Sequence, residues 1–244
     1  MTAAAWWAAG LLGLALVGCG APPVPTNPAE IESVGILATQ ARQSEALAKL
    51  RTWSERDQNP VAQRELALAL LQERSQQAQG LQWLERAAQS GDGEAGYQLG
   101  EALRLGRYGL SLDAPKARGW LDHAARHGSM DAALSLARMW RNGDGGARDE
   151  ANAFQLLKTA AERGNAQAMF LLSSAYSQGQ GTAVQWERAR YWLEAAADHH
   201  YPPALQAYAL ALENGELGFA KDRSLARDLL AEAAEERPNR WNTR

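Results

Sequence analysis

Every 36 or 37 residues the chain returns to one short pattern: a large apolar residue, leucine, two further residues, then Ala-Ala. It occurs as Trp83-Leu84 with Ala87-Ala88, Trp120-Leu121 with Ala124-Ala125, Leu156-Leu157 with Ala160-Ala161, Trp192-Leu193 with Ala196-Ala197, and Leu229-Leu230 with Ala233-Ala234. A fixed period of this length is the mark of a repeat architecture, in which one unit cannot bury its apolar face alone and stacks on its neighbours. Other positions keep the same register. Glycine follows at Gly91, Gly128 and Gly164, with His200 in the fourth copy, and then come Ala95, Ala132, Ala168 and Ala204. Leu99, Leu136, Leu172 and Tyr208 recur next, then a second glycine at Gly106, Gly143, Gly179 and Gly215. Asp113, Asp149 and Asp222 precede the second helix of their units, where the fourth copy has Gln185.

Each residue type has a physical reason to recur. Glycine after Ala-Ala stands where a helix ends, because it alone enters the left-handed conformation freely. Aspartate before a helical run caps the free amides of the first turn. Alanines let two helices approach closely, while the Trp, Leu and Tyr positions fill the space between them. Ala132, Leu136 and Trp140 lie at i, i+4 and i+8 and form one helical stripe. Alanine, leucine, glutamine, glutamate and arginine dominate the composition, which also favours helix. The fold class expected is therefore all-α.

These residues are similar to the Sel1-like repeat family, a tetratricopeptide relative whose pattern appears here as Gly143-Asp144-Gly145, Asp149, Ala153, Ala160-Ala161, Gly164, Ala168, Leu172 and Tyr176. The resemblance covers about residues 80–236 and implies a right-handed α-α superhelical solenoid of helix pairs. The fourth copy departs from the pattern at Gln185, at His200, and at Leu217-Gly218, where a loop glycine is displaced. Upstream, residues 29–79 read as shorter, tetratricopeptide-like pairs: about 29–41 with 44–57, then Asn59-Pro60 through Glu73, with Gln77 to Ser90 as its partner. Residues 237–244 are a C-terminal tail.

The first 28 residues stand apart. Residues 1–18 contain an apolar Gly/Ala/Leu/Val run and end in Leu16-Val17-Gly18 before Cys19, the single cysteine of the chain. A run of that length suits a signal peptide and is marginal for a membrane span. Leu16-Val17-Gly18-Cys19 resembles the bacterial lipobox. That resemblance implies lipidation of Cys19, cleavage before it, and anchoring by two or three acyl chains, each buried CH₂ contributing about 0.8 kcal/mol. The first basic side chain is Arg42, so the usual positive charge ahead of the apolar run is the α-amine alone. An uncleaved anchor with an incidental cysteine is the other reading. Gly20, where inner-membrane lipoproteins commonly carry aspartate, leans toward the outer membrane facing the periplasm. Residues 19–28 form a lipidated, proline-rich tether. One cysteine forms no intramolecular disulfide and no thiolate zinc site.

No catalytic constellation is found: no Ser-x-x-Lys, Gly-x-Ser-x-Gly, His-Glu-x-x-His or Walker loop. Gly-x-Gly at 143–145 and 179–181 recurs with the repeat and reads as a turn rather than a phosphate cradle. His123 and His127 share a helix face but have no evident third ligand, and they suit a helix C-terminus. No metal and no cofactor are expected. Trp83, Trp120, Trp192 and Trp140 read as core, and Trp186 and Trp241 as surface residues. A net charge of −3 gives no electrostatic case for nucleic acid.

In stacked helix pairs the first helix usually lines the concave side. The non-core positions there are Tyr97, Glu101 and Arg104; Leu134, Arg138 and Arg141; Phe170, Ser174 and Ser177; and Gln206, Leu210 and Glu213. Aromatic and aliphatic side chains beside an arginine pair have the composition of binding hot spots. The other reading is that these residues only pack neighbouring repeats. The function expected is a lipid-anchored periplasmic scaffold that binds protein partners of the cell envelope. Sel1-like lipoproteins include scaffolds of exopolysaccharide secretion, and other relatives are secreted virulence or signalling adaptors. Some secreted relatives have been associated with β-lactam binding or hydrolysis, which the missing nucleophile–base pair argues against. Glycan binding by exposed aromatics is a further alternative.

Overall fold

A computed structural model describes residues 23–239, with side chains to residue 235. The anticipated signal peptide, Cys19 and the first part of the anticipated tether lie outside the described residues, as does Trp241. The described residues form helix pairs in chain order: α1 (Pro28–Thr39) and α2 (Ser44–Glu55), α3 (Pro60–Leu71) and α4 (Gln77–Gln89), α5 (Gly93–Leu105) and α6 (Ala114–Arg126). Then follow α7 (Met130–Asn142) and α8 (Glu150–Glu162), α9 (Ala166–Gln178) and α10 (Trp186–Asp198), and α11 (Pro202–Asn214) and α12 (Arg223–Asn239). Short 3-10 turns lie at Arg74–Gln76 and Glu216–Gly218, and there is no strand among the described residues. This is the all-α solenoid anticipated from the repeat. Among the described residues no helix is long and apolar enough to cross a membrane.

The local causes are those read from the pattern. Asp113 and Asp149 cap their helices by accepting from the Lys116 and Asn152 amides at 3.0 and 2.9 Å, and Asp222 accepts from Ser224 and Leu225. The first helices α3, α5, α7 and α9 have caps of their own: Asn59, Asp92, Ser129 and Asn165 accept from the amide three residues on. Each such cap contributes about 1 kcal/mol. Gln185 and Tyr201 stand at the same places with no side-chain hydrogen bond to the helix. Gly91, Gly128 and Gly164 take φ of 91°, 92° and 89°, and His200 is held at φ 55° where they would be.

The second glycine of the loop has another cause. A Cβ on Gly181 would lie 2.1 Å from the Glu150 carbonyl oxygen, and one on Gly145 2.4 Å from that of Ala114. These loops therefore press on the start of the preceding second helix, and Gly-x-Gly is a packing device between repeats.

Alanines of the repeat line the helix crossings: Ala95, Ala132, Ala168 and Ala204 are wholly buried. Tyr176 fills the space beside them and meets Phe154 edge-to-face at 5.2 Å. Trp83 is buried. Trp120, Trp140 and Trp192 are half-buried rather than fully enclosed, and Trp186 is exposed. The Arg118 guanidinium covers the Trp140 ring at 3.3 Å.

One buried charge cluster gave no sequence signal. Arg64 bonds Glu65 at 3.0 Å, Asp92 at 2.9 Å and Glu32 at 2.6 Å, tying α1, α3 and the cap of α5 together. Burial pushes the Glu65 carboxyl above its ordinary value although Arg64 pulls it down.

Candidate functional site

The first helices α5, α7, α9 and α11 carry the residues anticipated to face a partner, and the repeat sorts them by distance from the cap. Residues five after the cap reach toward the start of the next unit. Arg64 does so onto Asp92, and the Phe170 ring meets the Tyr201 ring at 5.8 Å. Leu134, at the same place in α7, is 6% exposed and belongs to the core. Tyr97 is half-buried, and burial followed by the Glu101, Asp131 and Glu94 charges pushes its phenol up. Of the two readings open for Leu134, packing between repeats is the one observed: the side chain fills the seam because the next helix pair leans over it.

Residues nine after the cap vary in exposure. Glu101 is 8% exposed, so it too packs between repeats. It accepts from Arg104 Nε and Nη2 at 2.9 and 2.7 Å, so this arginine is already committed. Burial pushes the Glu101 carboxyl up, but the Arg104 hydrogen bonds and charge and the Ser135 hydroxyl outweigh it and hold it below its ordinary value. Arg138 is exposed and donates from Nη2 to Ser135 Oγ at 3.3 Å. Ser174 is half-buried, and its carbonyl accepts from the Ser177 hydroxyl. Leu210 is 53% exposed. Arg141 and Gln206 are half-buried, and Glu213 is exposed.

Two clefts gather part of this set. One, of about 220 Å³, is lined by Leu134, Ala137, Arg138 and Arg141 of α7, Ala153 and Leu157 of α8, and Gln167 and Leu171 of α9. The other is lined by Glu94, Tyr97, Gln98, Glu101, Arg107 and Asp131. The structure thus unites Arg138 with Arg141, and Tyr97 with Glu101. It adds Gln167 and Leu171, which the sequence reading missed because they fall one helical position to the side of Phe170 and Ser174. Neither cleft includes Phe170, Ser174, Gln206 or Leu210.

Elsewhere, the His123 and His127 rings lie 4.3 Å apart, and burial followed by His127 and Arg126 lowers the His123 imidazole. Among the described residues no group of three or more His, Cys, Asp or Glu is placed to hold a metal ion.

Comparison with known proteins agrees with this anatomy. The Sel1 repeat family model matches residues 60–92, 93–129, 131–165, 166–201 and 202–237. Each segment is one helix pair, from α3–α4 to α11–α12, so the match begins at residue 60, upstream of the residue 80 where the resemblance in the sequence starts. Chitin synthase regulatory factor 4 of Schizosaccharomyces pombe is 32% identical over 139 residues, covering 57% of this chain and 21% of that protein. The Sel1-repeat-containing protein YjcO of Escherichia coli K12 is 28% identical over 142 residues, 56% of this chain and 61% of that protein. The chain therefore spans less than two thirds of either relative. A Sel1 repeat protein from Oxalobacter formigenes superimposes with a TM-score of 0.73 at 25% identity, covering 86% of this chain and 88% of that one. The protective antigen c5321 of uropathogenic Escherichia coli also gives 0.73, at 23% identity, over 86% of this chain and 46% of its own, a likeness of fold. With five consecutive units matched by the model and by the helix pairs themselves, the chain belongs to the Sel1 repeat family.

Proposed function

We propose that the array is a scaffold for protein–protein interaction, held at a bacterial envelope membrane through Cys19 and presenting its first helices to a protein partner. The observation that carries this reading is the run of matched helix pairs in which α5, α7, α9 and α11 share one register, with Arg138 and Leu210 exposed on it. A surface of this kind suits an extended or helical partner segment better than a small molecule.

The anchor rests on Leu16-Val17-Gly18-Cys19. With Gly20 rather than aspartate after the cysteine, the periplasmic face of the outer membrane is the location we favour for the scaffold. One relative is named as a regulatory factor of chitin synthase. A polysaccharide-handling assembly, such as exopolysaccharide secretion, is accordingly the pathway we favour for the partner.

Chemical crosslinking of the full-length chain in intact cells, followed by mass spectrometry, tests the reading. Discrete envelope proteins joined to the array are expected, and recovery of the chain joined only to itself refutes it. Labelling with a fatty-acid analogue tests the anchor: wild type takes the label and Cys19→Ser does not.

A further inference from the structure

We propose that the cleft over α7, α8 and α9 takes a partner carboxylate with an aliphatic side chain beside it, bound by Arg138 and Arg141. This rests on the scaffold reading and adds the partner's chemistry.

The floor and walls of the cleft are apolar, formed by Leu134, Ala153, Leu157 and Leu171. Arg138 and Arg141 stand one turn apart on α7 at its rim, and the helix fixes both on one face. Other arginines nearby have carboxylate partners: Arg104 with Glu101, Arg126 with Asp122, Arg148 with Glu150. Among the described residues Arg138 and Arg141 form no such close pair, although their charges act at longer range on Glu101 and Glu150; the single hydrogen bond found is from Arg138 to a serine hydroxyl. Two guanidiniums above a leucine-lined recess favour a carboxylate that brings apolar surface with it. The volume, about 220 Å³, is below the roughly 300–1,000 Å³ of small-molecule pockets and suits one or two side chains.

Two further observations narrow the occupant to a peptide. The same chemistry is used once inside the chain, where Glu32 of α1 pairs with Arg64 of α3 at 2.6 Å and the adjacent Ile31 is 1% exposed. The neighbouring cleft between α5 and α7 has the opposite sign: Glu94, Asp131 and Glu101, the last paired with Arg104, outnumber Arg107 and that arginine. Packed helix axes lie about 8–10 Å apart, and an extended chain rises about 3.3 Å per residue. The matching segment therefore carries a basic residue about three positions from its carboxylate.

Selection of a displayed library of random dodecamer peptides on the full-length, detergent-solubilised protein tests this. Enriched peptides should contain Asp or Glu beside Leu, Ile or Val, with Lys or Arg about three positions away. The labelled consensus peptide should lose about tenfold in affinity when its carboxylate becomes an amide, and about the same with Arg138→Gln/Arg141→Gln. Both arginines have solvent-accessible side chains, so the variant should keep its circular dichroism and melting temperature, and Arg138→Glu/Arg141→Glu should select basic peptides instead. Enrichment without a carboxylate, affinity unchanged by the double variant, or no enrichment overturns the proposal. A changed sedimentation coefficient of the peptide-free double variant would show a second copy filling the cleft, and would overturn it too. If crosslinking in cells still captures an envelope protein in any of those cases, the scaffold stands and the assignment of this cleft falls.

Discussion

Gln185→Asp should stabilise the array, by an amount the other repeats fix in advance. Gln185 caps α10 with φ −143° and ψ 94°. Asp149 occupies the same place in the preceding unit with φ −147° and ψ 96°, and accepts from the Asn152 amide at 2.9 Å. The backbone of residue 185 is therefore already shaped for a capping aspartate, and the Arg188 amide is the donor such a side chain would meet. Glutamine carries one methylene too many to bring its oxygen to that amide, and no capping bond is present. A capping side chain contributes about 1 kcal/mol, and a carboxylate at a helix N-terminus adds roughly 0.3–1 kcal/mol. For a chain of this size about 1 kcal/mol corresponds to roughly 2–4 °C in melting temperature. Repeat arrays can lose two-state cooperativity, so the local readout decides: amide exchange at Arg188 should slow several-fold, with thermal unfolding moving up by a few degrees. Unchanged exchange at Arg188, or a lower melting temperature, would refute the claim that recurring aspartates act as caps.

Gly181→Ala should destabilise by about 2 kcal/mol or more, because it combines a left-handed backbone with a contact that must yield. Gly109→Ala, at φ 77° with open space around it, should cost only about 1 kcal/mol; denaturant titrations giving equal losses would remove the packing role of the second loop glycine. Leu134→Ala should cost about 2–4 kcal/mol as a core truncation, and a loss below about 0.5 kcal/mol would return this residue to the surface. The Glu101 carboxyl is held below its ordinary value of 4.5 in the folded protein. In the window below that value the unfolded chain binds more protons, so the stability from this group is complete above it and is lost as pH falls through the lowered folded value. Glu101→Gln should flatten that acid limb in urea titrations run from pH 3 to 7 (the range chosen to span about the carboxylate region), and an unchanged limb contradicts the pairing with Arg104.

The parts of the fold legible in the sequence are those where backbone geometry admits few residue types. Gly143 and Gly179 end helices in the left-handed region, Asp113 and Asp149 cap, and Ala132 and Ala168 sit where two helices touch. His200 shows the rule under strain, holding φ 55° with its ring against Glu232. The partner face was only partly legible. Between the two readings the pattern left open, Arg138 and Leu210 are exposed, whereas Leu134 and Glu101 pack between repeats. Periodicity tells which positions face away from their own pair; it does not tell how far the next pair leans over them. The Arg64 cluster was invisible for a related reason: Glu32, Glu65 and Asp92 belong to three helices, and no spacing relates them before those helices meet.

The central claim is that a protein partner sits on the first-helix side of the array. Photocrosslinking residues placed singly at Gln167 and Leu210, and at the exposed second-helix positions Gln155 and Tyr191, test it most directly. The account predicts one discrete adduct from Gln167 and Leu210 and little from Gln155 and Tyr191. The reverse pattern, or equal yields from all four, would contradict it.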